Sequence, residues 1–162
     1  VALKVEDVRS FTSKLFVKED FDRFLVKEIN IITYNSFTID GHVRQGYYTQ
    51  EELEENRIED FSSWKMLRPL CFSLIKGKKL PGSFHIVLSL APGDVEKFAA
   101  SLGTGIDGSQ IQGLYLNIRY EDGALYCVTG TSLNLFTMDK ILENEWDKAV
   151  EKFMRSHEIV CT

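Results

Sequence analysis

The chain has 162 residues, of which 44% are hydrophobic, 12% aromatic and 27% charged. These values are typical of one globular domain and exclude a disordered or fibrous protein. The 24 acidic and 19 basic residues give a formal net charge of −5 at pH 7, which excludes a protein that binds nucleic acid through a high overall positive charge.

The first half of the chain alternates between strand and helix patterns. We predict a short strand at residues 2–5, an amphipathic helix at 6–16, and strands at 24–34 and 37–44 joined by a turn. Thr49 and Glu52 have the spacing of a capping box, which predicts a short acidic helix ending near residue 56. Residues 62–75 have helical spacing but contain Pro69, which predicts two short helical pieces.

The second half follows a similar order. We predict a strand at 84–90, a helix from Pro92 to residue 102, and strands at 113–120 and 125–135 joined by an Asp122-Gly123 hairpin turn. A last helix is predicted with Thr137 as its N-cap. One face of that helix is apolar: Leu142, Trp146, Ala149, Val150 and Phe153. The pattern predicts a single α+β domain over residues 1–162, with an antiparallel sheet and a C-terminal helix.

Two segments of the chain match at a constant offset of 87 residues. The apolar helix positions Val8, Phe11 and Leu15 correspond to Val95, Phe98 and Leu102. A duplicated strand–helix–hairpin unit explains the match, with repeats at about 2–44 and 84–135 and a helical insertion at 49–80. Coincidence between two amphipathic segments is the alternative. Duplication predicts a pseudo-two-fold axis that makes the paired helix positions equivalent.

The second hairpin resembles a domain of the bacterial DNA sliding clamp. Asp122-Gly123-Ala124-Leu125, followed by Thr129-Gly130-Thr131-Ser132-Leu133, is similar to the hairpin of those clamps. The resemblance implies a DNA-clamp-like fold. A clamp ring needs basic helices that face DNA phosphates, whereas the two repeat helices offer only Arg9, Lys14 and Lys97 against a similar number of acids. We therefore expect a monomer or homodimer rather than a hexameric ring.

The chain as a whole resembles an uncharacterised bacterial family, a domain of unknown function. The stretches that carry this likeness are Trp64-Lys65-Met66-Leu67-Arg68-Pro69, Phe37-Thr38-Ile39-Asp40-Gly41-His42, and residues 114–123. The resemblance implies a soluble bacterial protein and no particular activity.

Several absences in the sequence point to a cytoplasmic protein. No apolar run reaches the 18 or so residues of a membrane helix, and the first residues do not resemble a signal peptide. The three cysteines, Cys71, Cys127 and Cys161, are odd in number and far apart, which favours reduced thiols. We expect no membrane association.

A basic segment is the strongest candidate for binding. Residues 61–93 contain no acid, and lysine and arginine there are suited to neutralise phosphates while an aromatic ring stacks on a base. The candidate residues for nucleic acid or another partner are Trp64, Lys65, Arg68, Lys78 and Lys79. The alternative is that Trp64 belongs to the core.

A second candidate site surrounds a histidine. Asp40 and His42 are two residues apart on a predicted strand, so they share a face, and an Asp–His pair can orient an imidazole for proton transfer. The full set is Asp40, His42, Arg44, Tyr47 and Tyr48. An ordinary hydrogen bond at a strand end is the alternative.

The sequence favours a non-enzymatic binding or scaffold module, for nucleic acid or a protein partner. The alternative function is a small cytoplasmic enzyme that uses the Asp40, His42 and Arg44 neighbourhood. The binding module is favoured because no nucleophile accompanies the Asp40–His42 pair. The three histidines lack partners at metal-ligand spacing, so we expect no metal and no cofactor.

Overall fold

The computed structural model describes residues 1–77, 81–103, 105–134 and 140–162. Its strands are β1 (Ala2–Lys4), β2 (Leu25–Ile32), β3 (Ser36–Asp40), β4 (Ser83–Ser89), β5 (Ile111–Glu121) and β6 (Ala124–Leu133). Its helices are α1 (Val8–Phe16), α2 (Gln50–Glu55), α3 (Trp64–Ile75), α4 (Pro92–Leu102) and α5 (Ile141–Ser156). The predicted α+β class is confirmed.

The six strands form one antiparallel sheet in the order β1-β6-β5-β4-β2-β3. Alternate residues of each strand face the same side of the sheet. On one side the register aligns apolar residues across neighbouring strands, and one such row consists of Ile29, Ile86, Ile118 and Cys127. All four are fully buried, so this side is the core face of the sheet.

Four helices cover the core face. The buried apolar side chains that they contribute include Phe11 and Leu15 of α1, Trp64 of α3, Val95 of α4 and Trp146 of α5. These side chains belong to one continuous hydrophobic cluster with the core-face rows of the sheet. The opposite side of the sheet is polar and partly exposed, and it is called the open face below.

The helix around Pro69 differs from the prediction. α3 runs without interruption from Trp64 to Ile75, whereas two short pieces were expected. Ser63 caps the helix by accepting a hydrogen bond from the Met66 N–H, and Pro69 is exposed to solvent. The missing N–H of Pro69 leaves the carbonyl of Lys65 without its helical partner, and Lys65 is an exposed residue, so water can hydrogen-bond that carbonyl.

Local turn and cap chemistry agrees with the prediction. Thr49 and Glu52 form both hydrogen bonds of a capping box at the start of α2. Asp122 and Gly123 have φ values of 52° and 78°, which is the backbone of a two-residue hairpin turn between β5 and β6. Gly103 ends α4 in the left-handed conformation with φ 63°. The predicted N-cap Thr137 lies outside the described residues.

The two matching segments differ in strand order. β4 pairs with β5, the next strand of its own segment, whereas β1 pairs with β6 of the other segment. Both β2 and β5 are antiparallel to β4, so they run in the same direction, and a two-fold axis normal to the sheet would make them run in opposite directions. Among the described strands the predicted pseudo-two-fold arrangement is therefore not present, and the shared spacing reflects two amphipathic helices that each follow a strand.

Strand β1 lies between β6 and the last residues of the chain. The N–H of Lys4 donates to the carbonyl of Thr162, the N–H of Thr162 donates back, and Val5 forms an isolated bridge with Cys161. Within the described ranges, no helix is long and apolar enough to span a membrane.

Candidate functional site

Trp64, the aromatic member of the predicted basic cluster, lies inside the core. Its side chain has no exposed surface, and its indole N–H donates a 2.8 Å hydrogen bond to the carbonyl of Leu15. The ring also meets Phe16 edge-on, with centroids 5.8 Å apart. Trp64 is therefore not on a surface where a base could stack, and its role here is to join α3 to α1.

Arg68 is held by an internal ion pair. Its guanidinium contacts both carboxylate oxygens of Asp22, and a further N–H donates to the carbonyl of Val17. The hydrogen bonds that Arg68 donates to Asp22 raise the pKa of Arg68 above its ordinary value, so the guanidinium stays charged. Arg68 thus joins α3 to the loop before β2 and does not face solvent as a phosphate ligand.

The remaining members of the cluster do not complete a surface in the described structure. Lys65 is exposed on α3, and no carboxylate lies within 4 Å of it among the described residues. Lys78 and Lys79 lie outside the described residues. Of the three predicted residues within the described ranges, Lys65 is the one that lies on the surface without an ion-pair partner.

The structure brings three members of the second candidate site together. The carboxylate of Asp40 accepts a 3.0 Å hydrogen bond from Arg44 and a 2.9 Å hydrogen bond from the backbone N–H of His42. The imidazole of His42 lies edge-on to the Phe61 ring, with Nδ1 3.5 Å from Arg44 Nη1. Asp40 therefore binds the backbone of His42 and not its ring, so the expected Asp–imidazole pair does not form.

This neighbourhood lies on an open surface. The side chains of Arg44 and Asp40 are 72% and 60% exposed, and the Tyr47 side chain projects into solvent. Tyr47 and Tyr48 meet each other edge-on at 5.4 Å, whereas the His42 ring meets Phe61. A shallow cavity of about 450 Å³ beside Asp40 is lined by Lys27, Glu28, Asp40, Phe61 and Val87. The Lys27 ammonium lies 3.9 Å above the Phe61 ring, which is a cation–π contact.

A polar row on the open face was not recognised from the sequence. The register aligns one residue from each of the six strands across the sheet: Lys4, Tyr126, Arg119, His85, Asn30 and Thr38. Directly opposed residues on antiparallel strands have Cβ atoms about 4.5–5.5 Å apart. The row therefore forms a continuous line of hydrogen-bonding groups, with no acid among its members.

Three neighbours in this row form a cation–aromatic–cation set, which we call the Lys4–Tyr126–Arg119 triad. Tyr126 is 40% exposed and lies between Lys4 on β1 and Arg119 on β5, both of which are exposed. Among the described residues, no carboxylate lies within 4 Å of either cation. The triad is thus an aromatic ring flanked by two cations that are free to bind an anion.

Hydrogen bonds order the rest of the row. His85 Nε2 lies 3.4 Å from Asn117 Oδ1, and the Asn117 side chain donates to the carbonyl of Val128. Thr38 donates a 2.7 Å hydrogen bond to the side-chain oxygen of Asn30. These contacts hold the polar side chains of the open face in place beside the triad.

The comparison with protein families places the chain in a group without an assigned activity. A family model described as a family of unknown function, DUF5721, matches residues 14–161. The chain belongs to the DUF5721 family. The expected membership of an uncharacterised family is confirmed. No curated protein matches the chain, and no solved structure matches it either.

Proposed function

We propose that this DUF5721 protein is a non-enzymatic binding module that binds single-stranded nucleic acid across the open face of its sheet. The observation that carries the proposal is the triad, in which Tyr126 lies between the unpaired cations Lys4 and Arg119. A base can stack on the tyrosine ring while the two cations contact the flanking phosphates. This is the chemistry expected from the sequence, on a different surface from the one that the sequence predicted.

The polar row extends the same surface beyond the triad. His85, Asn30 and Thr38 continue from Arg119 across the sheet and present imidazole, amide and hydroxyl groups. Such groups hydrogen-bond to the edges of unpaired bases, which a duplex keeps in its interior. A flat row of this kind therefore favours a single strand over a duplex.

Acidic residues on the open face should lower the affinity for nucleic acid. Glu121 is two residues from Arg119 on β5, so both side chains project from the open face, and Glu28 also lies on this face. Each phosphate contact to a single strand contributes about −0.7 to the slope of log binding constant against log salt concentration. Two contacts therefore predict a slope of about −1.4. We expect weak, salt-sensitive binding.

Fluorescence anisotropy with labelled 20-mers of deoxythymidine and uridine, at low salt, tests the proposal. Tyr126→Ala should weaken binding by at least about 1 kcal/mol, because base–aromatic stacking contributes about 1–3 kcal/mol per base. Arg119→Glu should weaken it further and reduce the salt slope. Both positions are exposed, so the melting temperature should change little.

Lys65→Glu is the matched control. It makes the same charge change as Arg119→Glu, but at an exposed position of α3, on the other side of the sheet. We expect Lys65→Glu to bind almost as well as the wild-type protein. Absence of binding to either oligonucleotide at low salt, or equal loss in Lys65→Glu and Arg119→Glu, would overturn the proposal.

The geometry at Asp40 supports a binding role over the enzymatic alternative. The imidazole of His42 has no carboxylate partner among the described residues, and its neighbours Asp40 and Arg44 are mostly exposed. Proton transfer by a histidine is favoured where a carboxylate orients the ring and water is excluded. Neither condition is met on this open surface.

We propose that the clamp likeness is limited to the unit β4-α4-β5-β6 and does not extend to a ring. Lys14 of α1 donates hydrogen bonds to the carbonyls of His157 and Glu158, so it does not face a DNA channel. Light scattering should give a mass far below six times the 18.6 kDa chain. A stable hexamer would contradict this proposal.

A further inference from the structure

A groove with an apolar floor opens between α4 and α5. Its volume is about 420 Å³, which is within the range of ligand-binding and anchor pockets. Phe98 of α4 meets Trp146 of α5 edge-on at 5.7 Å, and Phe153 meets Phe24 at 5.4 Å. Leu116 of the core face also lines it, so the groove reaches down to the buried hydrophobic core.

The rim of the groove is positively charged. Arg23, Lys97 and Lys152 line it, and Asp94 is the one acid among the described lining residues. Asp94 is already paired with Arg23 at 3.5 Å, whereas the two lysines have no carboxylate within 4 Å among the described residues. A chain with a net charge of −5 thus concentrates free positive charge around an apolar opening.

A second segment of the chain has the complementary chemistry. Residues 45–55 carry Tyr47, which is 84% exposed, and then enter α2 with its four glutamates. No residue of α2 is buried. Helices this short are marginal in water without packing, and α2 gains little stability from packing on the described part of its own chain.

We propose that the protein forms a two-fold dimer in which the groove of each copy binds residues 45–55 of the other. Tyr47 enters the apolar groove, and the carboxylates of α2 pair with Lys97 and Lys152. Both surfaces occur on every copy, so a two-fold arrangement would form the same contact twice. This proposal is independent of nucleic-acid binding on the open face.

Reciprocal charge reversal tests the dimer. One variant combines Lys97→Glu with Lys152→Glu, and the other combines Glu51→Lys with Glu55→Lys, a pair one helical turn apart. Glu52 is left intact because it forms the capping box. Each variant alone loses the charge attraction at both contacts, so its dimer dissociation constant should rise at least tenfold. An equimolar mixture regains attraction at both contacts and should form a heterodimer.

Two controls separate the contact from general effects of charge and aromaticity. Lys65→Glu with Lys76→Glu makes the same charge change on exposed lysines away from the groove and should leave the dimer intact. Tyr47→Ala should weaken the dimer, whereas Tyr34→Ala, which removes a tyrosine that is 83% exposed, should not. Circular dichroism confirms that each variant is folded.

Sedimentation velocity from 1 to 200 µM gives the result. The mass of the wild-type protein should reach about twice 18.6 kDa at high concentration, and the affinity of the dimer should fall as salt is raised. A wild-type mass that stays at one chain would overturn the proposal, and so would folded variants that fail to pair when mixed. A mass that grows past two chains with concentration would also overturn it, because an open chain of copies does not close by two-fold symmetry.

Discussion

Arg68 and Asp22 form a bidentate ion pair that is almost closed to solvent. Arg68 Nε lies 2.8 Å from one carboxylate oxygen and Nη2 lies 3.0 Å from the other, and the two side chains are 16% and 13% exposed. A planar guanidinium matches a carboxylate in this geometry, which lysine cannot reproduce. The pair joins α3 to the segment between α1 and β2.

Arg68→Ala should lower the free energy of unfolding by about 2 kcal/mol or more. The reason is that it leaves the Asp22 carboxylate partly buried without its partner. Urea denaturation measures the loss. Arg44→Ala removes the exposed Asp40 pair instead and should cost at most about 1 kcal/mol, since exposed pairs contribute little. Equal losses in the two variants would contradict the structural role of Arg68.

Pro69→Ala should stabilise the protein by about 2 kcal/mol. A proline inside a helix costs about 3 kcal/mol relative to alanine, and the greater freedom of the unfolded chain returns about 0.4–1 kcal/mol of that. The new N–H can bond the free carbonyl of Lys65. Pro92→Ala, at the first turn of α4 where no N–H bond is lost, should not stabilise. Chemical denaturation of both variants decides whether α3 tolerates Pro69 at a cost.

Gly41→Ala should strongly destabilise the end of β3, where Gly41 packs against the start of β2. A Cβ atom at Gly41 would overlap the carbonyl oxygen of Val26, so the backbone itself must move. We expect a loss of about 3 kcal/mol, the upper range for overpacking. Gly46→Ala is the control, because nothing lies within 4 Å of its Cβ position. Thermal unfolding of both proteins, side by side, should separate them by many degrees.

The two core cysteines should resist thiol reagents in the folded protein. Burial raises the pKa of Cys71 to about 12 and raises the pKa of Cys127 still further. Burial also raises the pKa of Cys161, but that side chain is partly exposed. An Ellman assay at pH 8 should modify Cys161 first, and the other two thiols only after denaturant is added. Rapid modification of all three in the native state would contradict this burial.

The same pKa shifts predict a loss of stability at high pH. The folded-state pKa values are above the ordinary value of 9.0, so the unfolded chain releases these thiol protons first. The contribution to stability is complete below pH 9 and falls as the pH rises toward the folded-state pKa values. The free energy of unfolding of a Cys71→Ala, Cys127→Ala variant should depend less on pH between 9 and 11.

Turn and cap chemistry made much of the secondary structure predictable. The Asp122-Gly123 turn and the capping box of Thr49 and Glu52 act over four residues, so their sequences suffice. The prediction of two short helices around Pro69 was wrong because a helix tolerates a proline where the carbonyl one turn earlier can hydrogen-bond to water. That depends on packing, which the local sequence does not contain.

Part of the Lys4–Tyr126–Arg119 triad could be predicted from the sequence. A two-residue turn at Asp122-Gly123 places Arg119 opposite Tyr126, and alternation along β5 puts both on the polar face. Lys4 was out of reach because the pairing of β1 with β6 joins residues more than 120 positions apart. Trp64 and Arg68 were predicted as binding residues from their residue types. Their roles are instead set by the burial of Trp64 and by the ion pair of Arg68 with Asp22.

The position of Lys4 on the short strand β1 links binding to local opening of the sheet. The hairpins β2–β3 and β5–β6 each form between strands that are close in sequence, and β4 pairs with one strand of each hairpin. Pairing of β1 with β6, in contrast, joins segments that are separated by most of the chain. We expect amide hydrogens of β4 to exchange slowest and those of three-residue β1 to exchange through fraying. One cation of the triad is therefore in register only while β1 is docked. An oligonucleotide that needs Lys4 should slow amide exchange in β1, although it binds side chains only.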